Sequence, residues 1–199
     1  MANVNTPFGF RPVKHLTGAP YNGQANIYEI AAGDAANTFI GDLVKMADDA
    51  ATDYYPTVER AGTSGEVTSG LLVGAIVGFV IPTATAPNLD VPIYRVASTK
   101  RFALVADSPD LIFEVEDGAT VATPIASIGL NTGFMATAGS TTTGLSNMVT
   151  GTTAATTTNS LPLQIVGMVN RPDNERAAAY QKLLVKINQH QYMGGQTAV

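Results

Sequence analysis

Apolar residues along this chain come in short runs rich in Val, Ile and Leu, each closed off by Gly, Pro, Asn or Asp. Runs of that length and composition predict strands, since a helix pattern needs about 10–12 residues to declare itself. The first strand is expected at 27–30 (IYEI), followed by a turn at Gly33 and Asp34. In 39–46 (FIGDLVKM), Gly41 and Asp42 make a turn that leads into another strand, and Asp48, Asp49 and Asp53 mark a polar loop. Residues 71–81 (LLVGAIVGFVI) are apolar at consecutive positions, as in a strand buried on both faces, and Pro82 ends it. Pro87, Asn88 and Pro92 predict an irregular connection. Strands follow at 93–97 (IYRVA), 102–106 (FALVA) and 112–115, the last closing at the turn signal Asp117-Gly118, and another is expected over 121–128. Residues 163–169 (LQIVGMV) read as a core strand and 170–174 (NRPDN) as a turn. Over 183–188, Leu183, Val185 and Ile187 alternate with Leu184, Lys186 and Asn188, which favours a strand over the helical spacing of Tyr180, Leu183, Leu184 and Ile187. A short helix can precede it at 175–181.

Two segments depart from this pattern. Residues 1–26 are punctuated by Pro7, Gly9, Pro12, Gly18, Pro20 and Gly23. Proline fixes φ and pushes the preceding residue toward extended geometry, so this stretch reads as an extended N-terminal arm. Phe8, Phe10, Val13, Leu16 and Tyr21 supply apolar anchors that disordered tails lack, so the arm is expected to lie along its own fold or a partner. Residues 134–161 carry two Thr triplets, 141–143 and 156–158, among Gly, Ala and Ser. They predict a solvent-facing insertion with some strand character, in which Met148 and Val149 can pack on the body. The organisation is then an arm at 1–26 and a mainly β body at 27–199 with 134–161 as a projection. The expected fold is a compact β-barrel or β-sandwich-like body of jelly-roll or β-tulip type.

Composition sharpens this picture. The hydrophobic share of 45% is enough for a core, while 14% charged residues is little for a monomer's surface. Either much of that surface is covered by other subunits, or Thr, Ser and Asn keep it wet. The chain has no cysteine, which excludes disulfide staples, thiolate metal sites and thiol catalysis, and fits assembly in a reducing host cytoplasm. The opening MANVNTPFGFRP has no apolar h-region and does not read as a secretory signal. The run at 71–81 is shorter than the ~20 residues of a membrane span, so no membrane partner is expected. Gly70, Gly74 and Gly78 within it predict close backbone packing or bulges. Net charge is −5, but 1–28 carries only Arg11 and Lys14, and 171–199 carries four basic against two acidic residues. An acidic middle with mildly basic ends lacks the basic patch that phosphate neutralisation needs, which argues against direct nucleic-acid binding.

Candidate chemistry is sparse. Asp107, Asp110, Glu114, Glu116 and Asp117 form the one acidic cluster. If Phe113 and Val115 face inward, Glu114 and Glu116 share an outer face where calcium or magnesium could bind. The same residues also suit a solvated edge that discourages strand addition, and no calcium-loop spacing is present, so no metal site is assigned. His15 and His190 sit in segments expected to be peripheral, and no G-x-S-x-G elbow presents a serine to either. GEVTSGLLVG lacks the lysine and spacing of a phosphate-binding loop. No catalytic residue and no cofactor are expected.

Several stretches together resemble the capsid decoration (cement or stabilising) proteins of tailed bacteriophages. They are TPFGFRPVKH near the start, GDLVK at 41–45, GLLVGAIVGF, DVPIYRVA followed by FALVADSPD, and the LLVKINQHQY ending. The likeness covers most of the chain and lies in arrangement, an extended arm before a β-rich body; the Thr-rich segment has no counterpart. It implies a virion structural protein on the capsid exterior, without enzymatic activity, that binds the major capsid protein and itself as a homo-oligomer, a trimer before a dimer. The arm residues Phe8, Phe10, Arg11, Val13 and Lys14 would then run across neighbouring capsid subunits and supply backbone or β-augmentation contacts. Another virion component, such as a head fibre base, tail or minor shell protein, fits the same composition. A carbohydrate-binding β-domain is the competitor from another class, with the absence of Trp counting against it.

Overall fold

The computed structural model describes residues 3–48, 54–80, 90–119 and 122–193. One five-stranded sheet runs β1 (Arg11–His15), β8 (Leu111–Glu116), β13 (Lys182–Ile187), β12 (Leu163–Met168) and β9 (Asn131–Thr132). A second runs β2 (Asn26–Ile30), β7 (Arg101–Ala106), β6 (Gly74–Phe79), β3 (Leu43–Met46) and β4 (Val58–Arg60). A small third sheet joins β11 (Val149–Thr150), β10 (Phe134–Met135) and β5 (Glu66–Val67). The three antiparallel sheets pack together as a β-sandwich-like body with no closed barrel. A parallel bridge between Glu29 and Thr57 draws the outer strands of the second sheet toward each other.

Two apolar cores explain why the apolar runs look as they do. Alternate residues of β8 and β13, Leu111, Phe113, Val115, Leu183, Val185 and Ile187, enter the larger core with Phe134, Met148, Leu163 and Ile165. The smaller core holds Tyr28, Ile30, Val44, Val58, Val73, Ile76, Ala103 and Val105. The middle of the second sheet separates them: Leu43, Ala75 and Ala106 face the larger core, and their neighbours Val44, Ile76 and Val105 face the smaller. Such a strand has no solvent face, hence no polar alternation. Burial on both sides holds for Leu72 to Ile76 and fades over Val77 to Val80, beyond a register shift between Ile76 and Gly78.

Four expectations are corrected. Residues 93–97 make no strand, only a single bridge from Arg95 to Thr38. The Arg95 guanidinium is fully buried and donates to the carbonyls of Thr99, Ala36, Ala31 and Asp34, so the backbone here follows a side chain and not a ladder. Over 122–128 the chain forms a 3₁₀ turn, Ile125–Ser127, with Ile125 and Ile128 exposed. Residues 175–181 are turns, with positive φ at Ala177 and Tyr180, and no helix. Finally, 134–161 has the strand character expected of it and Met148 packs on the body as expected, but the segment is not solvent-facing throughout. Phe134, Ala136 and Met148 are core residues and Ser146 and Thr150 are buried, because β10 and β11 pair with each other and β10 with β5. The Thr triplets themselves lie at the surface. Asp49, Asp53, Ile81, Pro82, Pro87, Asn88 and Val121 fall outside the described residues.

Candidate functional site

The N-terminal segment is clamped to the body where two glycines meet. Gly9 and Gly41 both have positive φ, and a side chain on either would press into the other's backbone. That approach lets the Phe10 N–H donate to the Gly41 carbonyl at 2.9 Å and drops the Phe10 ring into the larger core, edge-on to Phe134. Burying such a ring contributes about 1.5–3 kcal/mol. β1 then pairs with β8, and the chain turns back so that Tyr21 N–H donates to Val13 and His15 N–H to Ala19. The outer edge of β1 is therefore capped at those positions by its own chain.

This arrangement sorts the five proposed contact residues. Phe10 is 1% exposed and serves as an anchor, not a surface contact. Val13 is half-buried and Lys14 exposed, and neither lines the cleft that holds Phe8 and Arg11. Phe8 and Arg11 do come together: the guanidinium lies over the Phe8 ring, 4.6 Å from its centroid. They line an apolar cleft of about 230 Å³ with Pro12, Tyr21, Ile40, Val77 and Leu145. From the cleft an apolar strip continues through exposed Leu145 to exposed Ile93, which packs over Gly144. Ile40, Val77 and Leu145 come from three distant stretches, so only the fold places them beside Phe8.

The acidic cluster disperses into structural contacts. β8 lies between β1 and β13 and is no edge, and the face carrying its glutamates is covered, so Glu114 and Glu116 are buried and not solvated. Arg171 donates to Glu114 Oε2 at 3.1 Å and pairs in charge with its Oε1 at 2.8 Å, and Thr6 N–H donates to Glu116 at 3.0 Å. Burial pushes the Glu116 carboxyl up, against the pull of that N–H. Asp117 accepts from Ala119, Thr123, Thr150 and Gln181. Asp110 is held below the ordinary carboxylate range by hydrogen bonds from Ser108 and His15. Among the described residues, no group of three or more His, Asp or Glu could hold a metal ion.

Of the two histidines, expected in peripheral segments, only His190 differs from expectation. His15 pairs with Asp110 at 3.1 Å near the surface. His190 is wholly buried, because residues 189–191 pair with Leu72 through a parallel bridge. Its Nδ1 accepts the Tyr192 N–H, and burial pulls its pKa below the ordinary value. A histidine kept neutral in the folded state takes its proton preferentially when unfolded. Stability is therefore expected to fall as pH drops below about 6.5, by at most ~1.4 kcal/mol per pH unit, until the lowered pKa is passed. Urea midpoints of the wild type and His190→Asn across that range check this: the variant's curve flattens.

Among the buried polar groups, Asp42 showed in the sequence only as part of a turn signal, and Arg60, Arg95 and Ser146 carried no signal beyond their type. Nor did a set of tyrosines, Tyr28, Tyr55 and Tyr192, which the fold gathers at one cleft. Comparison with family models, with curated proteins and with solved structures gives no match.

Proposed function

We propose that this chain is a structural protein of a tailed-phage head that binds the outer face of the capsid and cross-links neighbouring major capsid subunits. The reading rests on the resemblance of its motifs and on one observation, the apolar cleft at Phe8, Arg11 and Leu145. There, partly exposed apolar side chains gather beside an exposed cation, while the acidic groups nearby are engaged within the fold. An apolar pocket with an arginine on its rim suits an interface anchor. Many identical sites on a shell turn modest contacts into tight decoration, the more so for a homo-oligomer such as a trimer.

Deleting residues 1–20 would remove β1 and the Phe10 anchor, so it tests folding before binding. The sharper variant is Phe8→Ala combined with Leu145→Ser. It is expected to keep the wild-type circular dichroism spectrum and to weaken attachment to purified undecorated heads by at least about tenfold. Wild-type occupancy by a folded variant, counted by electron microscopy, refutes the cleft as the capsid contact.

A further inference from the structure

A second cleft, of about 710 Å³, lies beside β2, lined by Asn26, Tyr28, Tyr55, Asp107 and Tyr192. Its size lies in the ~300–1,000 Å³ range of small-molecule sites. Tyr55 and Tyr192 are 39% and 48% exposed, yet both rings are held in place. Tyr55 packs edge-on against Phe102, with centroids 5.5 Å apart. The Tyr192 hydroxyl lies 2.8 Å from that of Tyr28, which in turn donates to Asp107 at 2.6 Å. Asn26 donates to both Asp107 oxygens at 3.0 Å. The cleft thus offers two fixed aromatic surfaces beside a carboxylate whose orientation is set by three hydrogen bonds.

We propose that this cleft binds a neutral saccharide. A sugar ring carries an apolar C–H face for a phenol ring and hydroxyl donors for a carboxylate, so it satisfies both surfaces at once. A phosphate or sulfate would meet Asp107 and an acidic body. An apolar peptide would bury the carboxylate without a new donor. An ammonium cation needs a tight aromatic enclosure, whereas this cleft is wide. The polar shelf also continues past Asn26 and Asp107 into a neighbouring cleft of about 410 Å³ lined by Tyr21, Gln24 and Ser108, which extends the site beyond one ring. The ligand class is an oligosaccharide, free or as part of a cell-surface polysaccharide.

The test applies the purified full chain to an array presenting neutral oligosaccharides, bacterial surface polysaccharides and sulfated or sialylated glycans. Binding is then titrated by intrinsic emission, which reports tyrosine alone because the chain has no Trp. Retention of neutral glycans is expected, with Tyr55→Ala and Tyr192→Ala each lowering affinity about tenfold and leaving head occupancy unchanged. Whether short oligosaccharides or only polysaccharides are retained distinguishes the source. Retention of anionic glycans alone, competition by tetramethylammonium, unchanged binding in both folded variants, or no retention at all overturns the proposal. Head decoration is read separately, so either conclusion can fail without the other.

Discussion

Replacing Arg60 with Met is expected to lower the unfolding free energy by about 3–5 kcal/mol, the cost of stranding one member of a buried ion pair. Arg60 and Asp42 side chains are 3% and 0% exposed, and the guanidinium Nε donates to Asp42 at 2.9 Å. The remaining donors reach the carbonyls of Gly62, Thr63 and Thr137, while Asp42 also accepts from Phe39 N–H and from Ser146 Oγ at 2.6 Å. One pair thus ties the end of β4 and the turn before β3 to the segment around Thr137 and Ser146. Burial already pushes the Asp42 carboxyl up, and Arg60 opposes it most strongly. Without Arg60 that folded-state pKa rises further above the unfolded value of about 3.9. A group of this kind favours folding when protonated, so the variant regains stability as pH falls through the raised pKa toward the unfolded one. Urea unfolding at neutral and mildly acidic pH should show the deficit narrowing on acidification, and Asp42→Asn added to Arg60→Met should recover part of it. A deficit below about 1 kcal/mol at neutral pH would place the pair with surface ion pairs and refute its role.

Gly41→Ala is expected to cost about 2–6 kcal/mol, combining left-handed strain with overpacking. Gly41 has φ +92°, and an added Cβ would stand 2.8 Å from the Phe8 carbonyl oxygen and 3.2 Å from Gly9 Cα. The clamp on the N-terminal segment would open, carrying Phe10 out of the core and β1 away from β8. Trypsin should then cut faster after Lys14 than in the wild type, before the remainder of the chain is digested; Arg11 precedes Pro12 and is no tryptic site. Gly23→Ala is the control: its φ is +87°, but nothing lies within 4 Å of the added atom, so strain acts there without a clash. Equal cutting rates in Gly41→Ala and Gly23→Ala would show that close approach is not what fastens the segment.

These two sites also bear on the proposed surface. The cleft beside Phe8 exists because Gly9 and Gly41 allow the backbones to touch, and because Asp42, one residue on, holds the Ser146 side chain just past Leu145. The motif pieces TPFGFRP and GDLVK, thirty residues apart in the chain, meet at this point. Gly41 was visible in the sequence as a turn signal and Gly9 only as punctuation of an extended arm; that the two glycines face each other was not visible.

Much of the β framework was legible because burial leaves a local trace. The runs 27–30, 102–106, 163–169 and 183–188 each fall on an observed strand, and within the apolar stretch expected at 71–81 the strand is Gly74–Phe79, with core on both faces only as far as Ile76. Failures came where a long-range partner overrode the local pattern. Residues 93–97 have strand composition, but the buried Arg95 guanidinium finds four carbonyls that bend the chain around it. The Thr-rich segment looks like surface, yet β10 and β11 are drawn in by pairing that also involves β5, some seventy residues earlier. Glu114 and Glu116 look solvent-facing by alternation and are buried because the N-terminal residues and Arg171 cover that face.

By itself, then, the order of apolar and polar residues determined a β-rich chain, most of its long strands and the extended character of its beginning, since these follow from period, turn chemistry and proline geometry. Only the tertiary structure decided which charges are buried, that Phe10 is an anchor and Phe8 a surface group, and that three tyrosines from remote positions share one cleft. Those outcomes depend on which strands become neighbours, and strand neighbourhood is set by the packing of the whole chain rather than by any window of it.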